Sequence, residues 1–156
     1  MTVETRDPLA LESQVCFALS LASRSIVNAY RPVLEPLKLT HPQYLVMLAL
    51  WQHQQLSLKR LAELLGLEPA TASPLAKRLE ALGYVQRERD AGDERTLRIS
   101  LTTTGRALRE TAETIPATMM RRLGLDEGEL LGLHDAMVRV IGAAQRAGAG
   151  DGPPPG

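Results

Sequence analysis

Stripes of mainly apolar residues at helical spacing lie near both ends of the chain. The first follows Asp7-Pro8, a pair typical of a helix start because Asp caps free N–H groups and Pro suits the first helical position. Its members recur at steps of three and four and are Leu9, Glu12, Cys16, Leu19, Ser23, Ile26 and Tyr30. We expect this helix to end near Arg31-Pro32. A last helix, capped by Asp126, is predicted from a face formed by Leu130, Leu133, Met137, Ile141 and Ala144.

Two shorter helices are predicted in the first half of the chain. Thr40-His41-Pro42 opens one of them, which continues through a strongly apolar segment. Ser57 is expected to cap the next, over residues 58–65, and Gly66 to end it because glycine readily adopts the left-handed conformation found there. This second helix is short and has its leucines on one face.

A further helix and a β-hairpin follow. The helix is predicted over residues 69–82, and Pro74 should distort its first turn because an interior proline loses a backbone hydrogen bond. Residues 84–89 and 96–101 then read as two strands, and the second alternates with period two. The polar residues 90–95 form the predicted turn between them.

The segment after the hairpin is predicted to be one long helix. Thr102 or Thr103 caps it, and it should run to about Leu123 with a kink at Pro116. Residues 148–156 are nearly all Gly, Ala and Pro, so we expect a disordered tail.

The order helix, tight turn, helix and hairpin is that of a winged helix-turn-helix. The second helix of such a unit lies in the major groove, where short polar side chains come first and cations later. The residues that we expect to contact DNA are Pro69, Thr71, Ser73, Lys77, Arg78, Arg87 and Arg95. Arg89 and Arg98 add positive charge to the wing, and Asp93 is expected to hold Arg95 by a charge-assisted hydrogen bond.

Composition agrees with a small helical protein. The 156 residues suit one domain, and only 3% are aromatic, which favours helices over a β-sandwich. Net charge is zero, so a DNA-binding protein of this kind must concentrate its positive charge locally. Residues 57–109 do so modestly, with ten Lys and Arg against seven Asp and Glu. No membrane span or secretory signal is visible, and we expect a cytoplasmic protein.

The two end stripes predict a homodimer. A small winged domain cannot cover both, and a second copy is the simplest way to bury them. We therefore predict a helical dimerisation region over residues 1–40 and 103–147 and a DNA-binding region over residues 41–102. A two-fold dimer also matches palindromic double-stranded DNA.

No pattern predicts an enzyme. The chain has no nucleophile elbow, phosphate loop or dinucleotide fingerprint, so no cofactor is expected. His41, His53 and His134 lack metal-ligand spacing, and no metal is expected either. Cys16 is the one cysteine. A lone cysteine on an apolar stripe is more often an inert packing residue than a reactive one.

Several segments resemble the MarR family of winged-helix repressors. Residues 64–67 and 74–80 are similar to the family's DNA-reading unit. Residues 83–85 and 93–95 are similar to its wing, and residues 101–105 follow in the same order. The resemblance extends from Leu11 to about Ala144 and implies a dimeric DNA-binding regulator.

The closer resemblance is to the branch of that family that senses organic hydroperoxides (OhrR-type). Residues 11–19, 30–32, 42–45 and 50–51 carry it. In that branch, the cysteine that matches Cys16 reacts with peroxide, and its oxidation releases the DNA. The resemblance also implies that Tyr30 of one subunit contacts Cys16 of the other.

The residues themselves set limits on this chemistry. Cys16 should lie about nine residues into its helix, too far for the helix dipole to favour its thiolate strongly. Tyr30 follows fourteen residues later, about 21 Å along the same helix, and cannot reach Cys16 of its own chain. A contact between the two therefore requires two first helices that lie side by side.

Two features depart from the resembled sensors. His41 stands where they have a second tyrosine; a neutral imidazole can donate a hydrogen bond, whereas an imidazolium would stabilise a thiolate. The chain also has no second cysteine. Reversible oxidation would then pass through a sulfenic acid that condenses with a small-molecule thiol or a backbone nitrogen.

Two other functions stay open. A repressor of the same fold could be released by a small aromatic or anionic ligand bound between the dimer and wing regions. A thiol peroxidase would need turnover and usually a resolving partner, which the single cysteine and the reading-helix pattern disfavour.

Overall fold

The computed structural model describes residues 7–150 and divides the chain into two compact units, Met1–Ile115 and Pro116–Gly156. Helices dominate, and the first unit contains a small antiparallel sheet, which confirms the mainly α fold with a β-wing. The helices are α1 Val15–Leu34, α2 His41–His53, α3 Leu58–Leu65, α4 Pro69–Ala81, α5 Thr103–Ala112, α6 Ile115–Leu123 and α7 Glu127–Gly150. Between residues 7 and 150, no helix is long and apolar enough to cross a bilayer.

Local caps fix the ends of α2 and α3. Thr40 Oγ1 accepts the N–H of Gln43, and the Gln43 side chain accepts the N–H of Thr40, which makes a reciprocal capping box. Ser57 Oγ accepts the N–H of Arg60 at the start of α3. Gly66 ends α3 with φ 65°, a left-handed conformation that glycine adopts without strain. Both predicted ends of α3 are confirmed.

The helix expected to lie in the major groove, α4, begins at Pro69, as predicted, and passes through Pro74 without interruption. We call it the reading helix. The carbonyl oxygen of Glu68 accepts the N–H groups of both Thr71 and Ala72. Such a shared acceptor is common at helix ends. The distortion expected from Pro74, whose missing N–H would have bonded to Ala70, stays a prediction.

Three strands form the sheet: β1 Gln55–Ser57, β2 Val85–Asp90 and β3 Asp93–Leu101. The central strand β3 pairs antiparallel with both neighbours. The β2–β3 hairpin is the predicted wing, but its strands extend further, so the turn narrows to residues 91–92. β1 escaped prediction because three residues are too few to show the alternation that marks a strand.

The core of the first unit lies between the helices and the sheet. Its fully buried side chains include Val46, Met47, Leu50, Leu61, Leu79 and Ile99. Two buried hydrogen bonds anchor this core to the segments around it. Trp51 Nε1 donates to the carbonyl of Gly105 at 2.9 Å, and the Tyr84 hydroxyl donates to the carbonyl of Leu37 at 2.9 Å. The base of the wing is thereby tied to the turn after α1.

The first helix begins later than predicted. A 3-10 turn and an extended Gln14 precede it, and α1 starts only at Val15. The Gln14 side-chain amide donates to the carbonyls of Pro8 and Ala10, which a continuous helix would have used itself. Cys16 is therefore the second residue of α1, and the prediction of nine residues into the helix was wrong.

α1 also ends later than predicted. It passes Pro32 and continues to Leu34. Pro32 removes one backbone hydrogen bond, but the following turn still buries Leu34 almost completely. A 3-10 turn, Glu35–Leu37, then closes the segment.

The long helix predicted after the hairpin is two helices. Thr102 Oγ1 accepts the N–H of Gly105 and caps α5 as predicted. The chain breaks after Ala112, and α6 begins with Pro116 in its first turn, where a missing N–H costs nothing. A break therefore replaces the predicted kink.

The last helix is capped as predicted. Asp126 Oδ1 accepts the N–H of Glu129, and Glu129 Oε2 accepts the N–H of Asp126. α7 extends to Gly150, so residues 148–150 of the predicted disordered tail are helical. Residues 151–156 lie outside the described part of the chain.

Candidate nucleic-acid interface and thiol site

The reading helix has one buried and one exposed face. Ala72, Ala76 and Leu79 are buried in the core. Pro69, Thr71, Lys77 and Arg78 are exposed and Ser73 is half-buried, because helical spacing places these residues on the remaining surface. The structure thus leaves the predicted α4 side chains free for a ligand.

A cleft of about 450 Å³ opens between the starts of α3 and α4 and the wing. Its lining includes Lys59, Arg89 and Arg95 together with the polar side chains of Ser57 and Ser73. Three cationic residues around one cleft favour a polyanion. Lys59 was not singled out from the sequence, although its place just after the Ser57 cap could have suggested it.

The wing tip is held by Asp93. Its Oδ1 accepts the main-chain N–H of Arg95 at 3.0 Å, and its Oδ2 accepts the hydroxyl of Thr96 at 3.1 Å. The expected support of Arg95 is therefore made to its backbone and not to its guanidinium. Arg95 itself is exposed at the start of β3, so its charge is directed to solvent from a backbone that Asp93 holds.

Other wing arginines are engaged within the chain. Arg98 Nη2 binds Asp90 Oδ2 at 2.6 Å. Arg87 binds Glu80 of α4, and these hydrogen bonds hold the pKa of the Glu80 carboxyl below its usual range. Arg87 was expected to contact DNA, but the structure directs its guanidinium to α4.

Cys16 is exposed in the first turn of α1. The first α-helical hydrogen bond runs from the N–H of Ala18 to the carbonyl of Gln14. The N–H groups before it are free of intrahelical bonds, and within residues 7–150 no side chain caps them. The dipole at this end favours an anion. The structure therefore reverses the expectation that the helix dipole would be too distant to act on Cys16.

A second cluster lies at the other end of α1. The ring centroids of Tyr30 and His41 are 5.0 Å apart with edge-to-face geometry, and Tyr44 lies 5.9 Å from Tyr30. Burial lowers the pKa of His41 and raises that of Tyr30. His41 is therefore neutral near pH 7 and is suited to donate a hydrogen bond rather than to supply charge.

The structure brings Tyr30 and His41 together but not Cys16. Cys16 lies fourteen residues before Tyr30 on the continuous helix α1, which corresponds to about 21 Å at 1.5 Å per residue. One chain therefore supplies the thiol at one end of α1 and the hydrogen-bonding side chains at the other.

Helices α1 and α7 each expose large apolar side chains. On α1 these are Val15, Leu21 and Ile26, with exposures of 66%, 47% and 42%. On α7 they are Leu131, Leu133, Val138, Val140 and Ile141, with exposures of 39% to 58%. Several large exposed apolar side chains on the same helix are candidates for an interaction surface.

A two-helix reading unit with a basic cleft and a hairpin wing defines a winged helix-turn-helix protein. Residues 39–97 match the MarR family profile. An organic hydroperoxide resistance transcriptional regulator of Bacillus subtilis is 43% identical over 114 residues, which cover 73% of this chain and 78% of that protein. The regulator TtmR of Methylorubrum extorquens is 45% identical over 127 residues, which cover 80% of this chain and 65% of that protein.

Solved structures agree. AbfR is a protein of Staphylococcus epidermidis. The structure of reduced AbfR bound to DNA superposes on this chain with a TM-score of 0.73 at 30% identity. The match covers 86% of this chain and 94% of that chain. A disulfide form of AbfR gives a TM-score of 0.63 at 29% identity and covers 88% and 91% of the two chains. The chain belongs to the MarR family and is a DNA-binding transcriptional regulator of that type.

Proposed function

We propose that this protein is a dimeric repressor that organic hydroperoxides release from DNA by oxidising Cys16. The observation that carries the proposal is the place of Cys16, exposed among free N–H groups at the start of α1. The similarity of this chain to a relative named for organic hydroperoxide resistance also supports a peroxide-sensing function.

DNA binding is assigned to the exposed face of α4 and to the wing. Thr71, Ser73, Lys77 and Arg78 would face the major groove, and Arg95 at the wing tip would enter the minor groove. Pro69 would bring the start of α4 close to the phosphates. A relative at 30% identity has been captured on DNA in its reduced form, which supports this assignment.

The exposed apolar faces of α1 and α7 support a homodimer. Burying these faces against a second copy removes them from water. The dimer then presents two α4 helices and two wings to a palindromic duplex. The predicted dimerisation region over residues 1–40 and 103–147 contains α1 and all but the last three residues of α7.

The same dimer would complete the thiol site. With two α1 helices side by side, Cys16 of one subunit would meet Tyr30 and His41 of the other. Hydrogen bonds from the tyrosine hydroxyl and the neutral imidazole favour a thiolate. Oxidation would then disturb the contacts between the subunits. Because this interface sets the distance between the two DNA-binding regions, the change would reach the DNA contacts.

The chemistry balances with a hydroperoxide and a small thiol. The Cys16 thiolate attacks the terminal peroxide oxygen, the O–O bond breaks, and the alcohol departs after taking up a proton, which leaves a sulfenic acid. A small-molecule thiol then attacks that sulfur and expels water, which gives a mixed disulfide. A second thiol returns Cys16 by exchange.

A specific observation also supports release by a small ligand. A cleft of about 470 Å³ lies between α1 and α2, with Arg31, Lys38 and His41 beside the apolar side chains of Val27 and Pro42. Glu35 also lines the cleft, so its two basic side chains outnumber one carboxylate, and a small aromatic ligand with a single negative charge would suit it.

Fluorescence anisotropy with a labelled duplex tests the proposal. The duplex is selected from random DNA by the reduced wild-type protein. Organic hydroperoxide should release the wild type, a thiol reductant should restore binding, and Cys16→Ser should bind DNA but ignore the peroxide. If Cys16→Ser is released as readily as the wild type, the switch lies elsewhere and the ligand-released repressor becomes the better reading.

A further inference from the structure

One carboxylate joins the reading helix to the wing. Glu80 lies in the last turn of α4, and its Oε2 accepts the main-chain N–H of Arg87 at 2.9 Å. Its Oε1 accepts Nε and Nη2 of the same residue at 3.2 and 3.0 Å. Three hydrogen bonds thus connect a single residue of β2 to a single residue of α4, and charge-assisted bonds of this kind are the strong ones.

The main-chain bond has a particular structural role. β2 is an edge strand, because β3 lies on one side of it and β1 pairs only with β3. Edge strands present N–H groups that no neighbouring strand accepts. Glu80 takes the place of that missing strand for Arg87, so the helix rather than another strand holds the edge of the wing.

The position of the link matters for DNA binding. Lys77 and Arg78 precede Glu80 by less than one turn of α4, and β2 leads from Arg87 to the wing tip that carries Arg95. The Glu80–Arg87 link therefore lies where the two candidate DNA-contacting surfaces diverge.

We propose that Glu80 is a positioning residue that sets the orientation of the wing relative to α4, and that Arg87 serves this link instead of contacting DNA. The proposal rests on the proposed use of α4 and the wing in DNA binding. It replaces the expectation, made from the sequence, that Arg87 is a phosphate contact.

If Arg87 contacts DNA, Glu80→Gln should strengthen DNA binding; if Arg87 serves only the link to Glu80, the same change should weaken it. If electrostatics alone mattered, Glu80→Gln would remove a negative charge and free Arg87, so DNA binding would tighten. If Glu80 positions the wing, the same change weakens binding to a specific duplex despite the more favourable charge. Non-specific binding, which depends on charge, would not weaken.

The experiment measures affinity for the selected duplex and for a scrambled duplex of the same composition. Glu80→Gln, Arg87→Gln and the double variant are compared with the wild type. Glu63→Gln is the matched control, because it makes the same charge change in an exposed pair with Arg60 within α3. Thermal unfolding is recorded for each variant.

The positioning role predicts that Glu80→Gln and Arg87→Gln each lose about tenfold on the selected duplex, the factor that corresponds to one charge-assisted hydrogen bond. The double variant should lose little more, since both single changes break one link. Binding of Glu80→Gln to the scrambled duplex and binding by Glu63→Gln should not weaken. Arg87→Gln also loses a positive charge, so it should lose some affinity for the scrambled duplex, but less than for the selected one. Tighter binding by Glu80→Gln, or equal losses on both duplexes with Arg87→Gln, would overturn the proposal.

Arg87→Lys provides a second comparison that is milder for folding. Lysine keeps the charge but loses the forked geometry that grips Glu80, and it serves well as a phosphate contact. Positioning predicts a loss on the selected duplex alone, whereas a phosphate contact predicts no loss. If selection with the wild type enriches no duplex, the proposed function itself fails. If it enriches a duplex and these variants lose no affinity for it, only the positioning role fails.

Discussion

Arg95→Ala tests whether the wing tip contacts DNA in the minor groove. Asp93 fixes the backbone of Arg95, and the side chain is exposed. The substitution therefore removes a charge from the surface with little effect on the fold. We expect it to weaken DNA binding by about 1–3 kcal/mol.

The salt dependence gives a sharper magnitude. Each phosphate contact contributes about 0.9 to the slope of log affinity against log salt, and a two-fold dimer loses two contacts, about 1.8 in all. Between about 50 and 200 mM salt, the advantage of the wild type over the variant should therefore shrink about tenfold.

Anisotropy titrations at several salt concentrations measure both quantities. Arg109→Ala is the matched control, because it removes an exposed arginine on α5 that pairs with Glu113, outside the reading unit. It should change neither affinity nor slope. An Arg95→Ala variant with the affinity and slope of the wild type would refute the wing assignment.

Three further changes test the fold around these sites. Gly105→Ala should destabilise the protein by about 1–3 kcal/mol in urea unfolding, because an added Cβ would overlap the carbonyl of Tyr84. Asp93→Ala should weaken DNA binding although it removes negative charge, because the start of β3, which presents Arg95, loses its hydrogen bonds to Asp93. Tighter binding in anisotropy would contradict this. Burial lowers the pKa of His41 below 6.5. As pH drops below about 6.5, only the unfolded state readily takes up the proton, so the free energy of unfolding should fall. His41→Phe should remove this part of the pH dependence of stability.

Local signals in the sequence predict most of the helix boundaries of α3 and α4. The cap at Ser57, the left-handed Gly66 and the proline at the start of α4 each act through neighbouring residues, and the structure has all three where they were predicted. The periodic stripe of the first helix was also recognised, but its start was not. That start depends on Gln14 folding back onto preceding carbonyls, which no periodicity reveals.

Interactions between elements were beyond sequence reasoning. Arg87 looked like any basic wing residue, and only the packing of β2 beside α4 shows that Glu80 accepts its hydrogen bonds. Likewise, Tyr30 and His41 belong to different helices, and their ring contact follows from how α1 and α2 pack.

The central claim is that two subunits together build the peroxide-sensing site, and complementing heterodimers test it most directly. In one heterodimer, Cys16→Ser and Tyr30→Phe are placed in different subunits, so one intact cysteine faces an intact tyrosine. In the other, both changes are placed in the same subunit, so the one remaining cysteine faces phenylalanine.

The measurement is the rate at which organic hydroperoxide oxidises the single cysteine in each heterodimer. A site shared between subunits predicts a rate per thiol equal to that of the wild type when the changes are in different subunits. It predicts slow oxidation when they are in the same subunit. Equal rates in the two heterodimers would contradict a site to which Tyr30 of the partner subunit contributes.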